Sequence, residues 1–178
     1  GRNPGVDRTE ITKRLCDSLG MEQLLWLDHG EIIGDDTDGH IDMLARFCSK
    51  DTIAFTGCDR RDDPHYAPLS AMASQLETLR NTAGQPYRLV PLPLPQPCFD
   101  EDNRRLPASY ANFLILNDTV LMPAYNDPAD TIAAETLAEC VPTRDIIPSD
   151  CRPLIRQGGS LHCATMQLPA GVLVDIDE

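Results

Sequence analysis

The spacing of apolar positions changes several times along the chain, and each change predicts the edge of an element. After the loop Gly1 to Gly5, Asp7 is placed to cap a short amphipathic helix running to about Leu19, with Ile11, Leu15 and Cys16 on its inner face and Gly20 as its stop. Gln23 to Leu27 reads as a buried strand, and its Trp26 as a core residue rather than a ligand contact. Ile41 to Phe47 and Thr52 to Phe55 predict two strands joined as a hairpin at Ser49-Lys50-Asp51, with Arg46 able to pair with an acidic neighbour. The stretch Cys58 to Pro68 is polar, so a loop is expected there, with His65 exposed. Ser70 to Arg80 has helical spacing, with Met72, Leu76 and Leu79 on one side. Tyr87 to Leu94 returns to a strand pattern that runs into Pro91, Pro93, Pro95 and Pro97, residues that cannot feed a central ladder and belong at an edge or in a loop.

The second half repeats this order. A charged loop from Cys98 to Pro107, with Arg104 and Arg105 expected to be solvated, precedes a predicted strand from Ser109 to Leu116. An Asn117-Asp118 turn leads into Val120 to Met122, Pro128 opens a helix to about Cys140, and Arg144 to Ile147 reads as a further strand. Strand, strand, helix and strand therefore come round at 41–55, 70–80 and 87–94, then at 110–122, 129–140 and 144–148. That is a repeat of shape rather than of letters, and it predicts an α/β architecture of ββαβ units.

Composition narrows the functions open to such a fold. At 178 residues and 42% hydrophobic content the chain suits one domain, or a piece of a larger one, with a substantial core. The net charge of −13 repels phosphate backbones and anionic lipid, which argues against nucleic acid and membrane partners and favours cationic small molecules. No apolar run approaches the roughly 20 residues needed to cross a bilayer, and no basic-then-apolar leader opens the chain. Seven cysteines without a C-x-x-C pair read as mostly buried free thiols rather than a disulfide framework or a zinc ribbon, which suits a reducing cytoplasm.

Two stretches carry candidate chemistry. Asp35-Asp36-Thr37-Asp38-Gly39-His40-Ile41-Asp42 packs carboxylates and an imidazole beside a glycine. If Gly39 makes the turn and the chain runs extended after it, His40 and Asp42 share one face and Ile41 points into the core. Either this is a site or it is a solvated acidic turn. Gly158-Gly159-Ser160-Leu161-His162-Cys163 places a thiol just after glycines, where a nucleophile can approach a ligand closely or a cysteine can simply be buried and inert. In an extended segment His162 would point away from Cys163, which leaves His40 as the base and Asp42 to bind a cationic substrate group. Asn112, an amide within an apolar run, is either a structural hydrogen-bonder or a pocket residue.

With these pieces collected, the chain resembles the agmatine deiminase and bacterial, porphyromonad-type peptidylarginine deiminase family. The matching stretches are Arg2-Asn3-Pro4, Asp36 to Asp42 with Ala45-Arg46-Phe47, Ser109-Tyr110 with Asn112-Phe113, then Pro123, Asp127 and Asp130, and finally Gly159 to Gln167. The resemblance implies a pentein fold, an α/β propeller of ββαβ modules, of which residues 1–178 would form the C-terminal part, roughly half. It implies guanidine deimination, with Cys163 as nucleophile, His40 as general acid/base, Asp42 gripping the guanidinium and Asn112 an active-site amide. Asp36 and Asp38 are the further candidate substrate-binding residues. No metal or other cofactor is called for, and the expected partner is a small-molecule or peptide guanidinium substrate. Family members are about twice as long, so either a second copy packs on the open edges, or an N-terminal part exists as another chain, or the chain is a trimmed piece. The alternative reading is a catalytically silent relative acting as a ligand-binding or oligomerising module. A cysteine protease or acyl hydrolase shares the thiol and imidazole but leaves Asp42 without a reason to face the substrate.

Overall fold

The two rounds of strand, strand, helix and strand fold as two three-stranded sheets in the computed structural model, which describes residues 4–35 and 39–168. In the first module β1 (Ala45–Ser49) and β2 (Thr52–Thr56) form an antiparallel hairpin, and α2 (Tyr66–Thr78) returns the chain to β3 (Arg88–Leu92), which lies parallel to β2. In the second, β4 (Leu114–Ile115) and β5 (Thr119–Ala124) are antiparallel, and α3 (Ala129–Cys140) leads to β6 (Asp145–Asp150), parallel to β5. The predicted ββαβ repeat is therefore present twice. Pro91 falls in β3, an edge strand, where its missing N–H costs no ladder bond.

Each central strand is short enough that alternation decides what it packs against. All of β2 is buried: Ile53 and Phe55 face Leu69, Met72 and Leu76 of α2, whereas Ala54 joins a second cluster with Ala133 and Leu137 of α3. That second cluster also takes Val120 and Met122 of β5, so α3 lies between the two sheets and fixes one module against the other. Asp130, in its first turn, accepts from the Tyr110 hydroxyl at 2.7 Å and from the backbone N–H of Tyr125 and Asp127 at 3.0 and 3.1 Å. One carboxylate thus ties the start of α3 to the chain that leads into it and to Tyr110, while the first helical N–H, that of Ala129, is taken by Asp127 at 2.8 Å.

The N-terminal helix α1 (Arg8–Leu19) begins and ends as its caps predict: Asp7 accepts from the N–H of Glu10 at 2.8 Å, and Gly20 adopts the left-handed conformation at φ 63°. Its inner face is shallower than expected, since none of its residues is buried and Leu15 is exposed. Gln23 to Leu27 is not a strand. Side chains of other elements satisfy its surroundings instead, with Gln75 donating to the Trp26 carbonyl at 3.3 Å and accepting from the N–H of Asp28 at 2.8 Å. Trp26 is half-buried, donates to the Thr12 hydroxyl at 3.1 Å and carries the Arg8 guanidinium 4.6 Å above its ring.

Three further expectations are corrected. Only Leu114 and Ile115 of the stretch Ser109 to Leu116 pair as a strand. Residues 109–112 form a fully buried turn, because Ser109 spends its hydroxyl on the Met43 carbonyl at 2.7 Å and its N–H and C=O on the Tyr125 hydroxyl at 3.0 and 2.9 Å. His65 is buried rather than exposed, its Nδ1 2.8 Å from Asp63 and its Nε2 accepting from the N–H of Ile33 at 2.9 Å. Arg105 is not solvated: it grips Asp63 with both Nη atoms, at 3.0 and 2.9 Å. All seven cysteines are free thiols, but the expectation that most are buried fails: only Cys140 and Cys151 are, Cys16, Cys48, Cys58 and Cys98 are half-buried, and Cys163 is exposed. Among the described residues no helix is long and apolar enough to cross a membrane.

Candidate active site

The first half of the site is set by a tight turn rather than by a strand. Gly39 takes φ 79°, the N–H of His40 bonds Asp35 at 2.9 Å, and Ile41–Met43 coil into one 3₁₀ turn ahead of β1. Met43, 1% exposed, anchors the turn: its carbonyl lies 3.0 Å from the Thr56 hydroxyl and 2.7 Å from that of Ser109. With Met43 inside, Ile41 turns to solvent, opposite to the extended reading. His40 and Asp42 still converge, because a turn brings near what a strand would merely align.

The second half follows α4 (Arg152–Ile155). Ser160 is buried, its hydroxyl 2.8 Å from that of Tyr125, and the chain then forms a 3₁₀ turn, His162–Ala164. The amide of Asn112 holds this turn against the first one. Its Oδ1 accepts from the N–H groups of His162 and Cys163 at 2.8 and 3.3 Å, while its Nδ2 donates to the Asp42 carbonyl at 3.2 Å and to the Cys163 sulfur at 3.3 Å. Asn112 is thus structural hydrogen-bonder and pocket residue at once, and every part of its amide is used. At Gly159 a side chain would meet Cys163, since a Cβ there would lie 2.9 Å from Cys163 Cβ.

These turns bring one ligand atom each from His40, Asp42 and Cys163 within 4.8 Å of one another. The Cys163 thiol donates toward Asp42 Oδ2 at 3.6 Å, and the same oxygen lies 2.7 Å from His162 Nδ1. Burial by itself would raise the Asp42 carboxyl, but the hydrogen bond and charge of His162, helped by Cys163 and Asn112, bring it below its ordinary value. Cys163 is exposed as a residue while its sulfur is tucked beside Asn112 and 4.0 Å from the Met43 sulfur; that partial burial, with the negative Asp42 beside it, pushes the thiol up. The site rests as a thiol against a carboxylate. Arg46 lies beneath it, donating to the Phe113 carbonyl at 2.9 Å with its guanidinium 5.2 Å from the Phe113 ring centre, and its charge favours the ionised forms of both Asp42 and Cys163. The expected pairing of Arg46 with an acid is thus a field effect rather than a contact.

Four of the residues singled out in the sequence, His40, Asp42, Asn112 and Cys163, therefore meet. Asp36 and Asp38 lie outside the described residues. His162 is the one that sequence reasoning set aside, because it assumed an extended segment; the neighbouring Gly158-Gly159 pair was the available signal for a turn. Cys163 borders a hollow of about 160 Å³ with Leu154, Gln157, Gly159, Ser160 and Ala164. A larger hollow of about 420 Å³, between α1 and residues 24–30, contains none of the four.

Residues 1–169 match the family model of Porphyromonas-type peptidyl-arginine deiminase. The chain belongs to that family. Agmatine deiminase of Pseudomonas syringae pv. tomato is 31% identical over 95% of this chain and 50% of its own length. Among solved structures, a protein of Porphyromonas gingivalis provisionally named an arginine deiminase superposes with a TM-score of 0.91 at 50% identity, covering 95% of this chain and 50% of that one. A cysteine-to-serine variant of agmatine deiminase of C. jejuni, with substrate bound, gives a TM-score of 0.83 at 42% identity over 90% of this chain and 46% of that one. The two ββαβ modules are those of a pentein-type propeller, and the chain spans about half the length of the relatives it matches.

Proposed function

We propose that the site is that of a guanidine deiminase, a C–N hydrolase that converts a guanidinium to a ureido group and ammonia. The observation that carries the reading is the shared Asp42 oxygen, which sits 3.6 Å from the Cys163 thiol and 2.7 Å from an imidazole. A partly buried carboxylate beside a nucleophile calls for a cation, and a planar guanidinium places its electrophilic carbon over the sulfur while its N–H groups face the carboxylate. The cation also offsets the negative charge that keeps the Cys163 proton in place, so substrate binding itself favours the thiolate.

The Cys163 proton passes to His40, and the thiolate adds to the guanidinium carbon, forming a C–S bond. His40 donates a proton to the departing nitrogen as the C–N bond breaks, releasing ammonia and leaving an S-alkylthiouronium on Cys163. His40, now neutral, takes a proton from water. The hydroxide adds to the same carbon, the C–S bond breaks as the adduct's hydroxyl proton leaves to solvent, the ureido product departs, and the proton on His40 returns to the thiolate. Agmatine, arginine and peptidyl arginine all carry the group required.

A second reading, a silent ligand-binding or oligomerising module, is favoured by the half-length span and by exposed Ile41, Phe47, Leu116 and Ile147. Those residues also suit an active assembly in which a second copy or a further segment covers them. Ammonia release from a panel of agmatine, arginine and peptidyl arginine, with solution mass measured on the same sample, separates the readings. Thiol-dependent release, lost in Cys163→Ala at unchanged circular dichroism, is the expected result. Release that survives Cys163→Ala overturns the mechanism, and guanidine binding without release favours the silent module.

A further inference from the structure

His40, Asp42 and Cys163 present three different donor types, an imidazole nitrogen, a carboxylate oxygen and a sulfur, within 4.8 Å of one another. We infer that the same constellation binds one thiophilic divalent cation, of which Zn²⁺ is the type, and that the bound cation excludes a guanidinium substrate. The competition clause rests on the deiminase reading; the binding clause does not.

The geometry suits a tetrahedral ion. Zn–S bonds of ~2.3 Å and Zn–N or Zn–O bonds of ~2.0–2.1 Å put neighbouring tetrahedral ligands ~3.3–3.6 Å apart. The Cys163 sulfur and Asp42 Oδ2 already stand 3.6 Å apart. Both are held from behind, the sulfur by Asn112 Nδ2 at 3.3 Å and the carboxylate by His162 Nδ1 at 2.7 Å, the outer hydrogen bonds that orient metal ligands and set their basicity. His40 is exposed and its donor atom lies within 4.8 Å of the other two, so the three must draw together by roughly an ångström to reach tetrahedral spacing. The thiol proton leaves to solvent as the metal–sulfur bond forms, and a thiolate and a carboxylate then balance the two charges of the ion. The fourth position faces solvent and takes water. A sulfur among three donors selects a borderline or soft ion over Mg²⁺ or Ca²⁺, which require oxygen ligands. The net charge of −13 draws cations to the surface in general and cannot by itself account for a thiol-dependent site.

The test uses Co²⁺ as a spectroscopic probe on the full 178-residue chain. One equivalent is expected to give a thiolate-to-cobalt charge-transfer band that Zn²⁺ displaces. The band is expected to vanish in Cys163→Ser, to need at least tenfold more Co²⁺ in His40→Gln, and to persist in a Cys98→Ser control. Circular dichroism shows which variants are folded, and Asp42→Asn, expected to weaken binding in the same way, replaces any that is not. A band that survives Cys163→Ser, or an affinity unchanged in both His40→Gln and Asp42→Asn, overturns the site. If ammonia is released, Zn²⁺ is expected to stop it and a chelator to restore it, and full activity at saturating Zn²⁺ overturns the competition. A cysteine-dependent band in a protein that releases no ammonia from any guanidine upholds the metal site and counts against the deiminase reading alone.

Discussion

Two histidine–aspartate pairs in this molecule have nearly the same length and opposite characters. Nδ1 of His65 lies 2.8 Å from Asp63, and Nδ1 of His162 lies 2.7 Å from Asp42. Asp63 is saturated: it accepts from Arg105 twice, from Arg60, and from both the ring and the N–H of His65, while the other His65 nitrogen takes the N–H of Ile33. Its carboxyl is held far below the usual range; burial opposes this, and the Arg105, His65 and Arg60 contacts outweigh it. Such a pair is closed, and serves to hold residues 32–35 against the rest of the fold. The Asp42 pair instead adds a thiol to one imidazole and stands at the surface with His40 beside it. What separates the two pairs is thus whether the carboxylate still has work left for an incoming charge.

Exchanging each aspartate for asparagine breaks the comparison where it is strongest. Asp42→Asn is expected to lower ammonia release at least ~100-fold, because the guanidinium loses its counter-charge, with little change in melting temperature. Asp63→Asn leaves two arginines without their shared acid and is expected to cost ~3–5 kcal/mol, a fall in melting temperature on the order of 10 °C. The reverse pattern, activity lost through Asp63 at full stability, would mean the roles are misassigned.

Acid titration sharpens the same contrast. A carboxyl whose pKa is depressed by folding adds stability that is fully present above the ordinary aspartate range and is lost as pH falls through that range toward the folded value. Asp63 should dominate this acid limb, so denaturant unfolding followed downward from about pH 5 is expected to fall less steeply in Asp63→Asn than in the parent chain. Equal slopes would show that other carboxylates carry it. The smallest effect is expected at His162. His162→Ala should raise KM about tenfold while kcat changes by less than about threefold, and His162→Gln, which still offers a donor, should recover part of the loss. A fall in kcat alone would place His162 in proton transfer instead of in holding Asp42.

Local rules made the repeat of ββαβ units readable, because hairpins, helix ends and edge prolines are set by residues a few positions apart. The caps Asp7 and Gly20, the turn at Asn117-Asp118 and the helix after Pro128 all lie where short-range chemistry places them. What was hidden depended on distant partners. His65 and Arg105 read as polar surface until Asp63 is known to join them across 42 residues of sequence. Residues 109–112 read as a strand because nothing nearby announces the Tyr125 hydroxyl that replaces their ladder. In the candidate site, the residues that converge, His40, Asp42, Asn112 and Cys163, could be picked out, while the backbone turn that sets His162 against Asp42 could not.

The thiol and the carboxylate it faces stand 121 positions apart in the chain. At synthesis rates of ~5–20 residues per second, Asp42 leaves the ribosome roughly 6–24 s before Cys163 does. Throughout that interval Asp42 is present without the thiol that it faces in the finished fold. The meeting of thiol and carboxylate is therefore a late product of biosynthesis, completed only after the turn His162–Ala164 has been made.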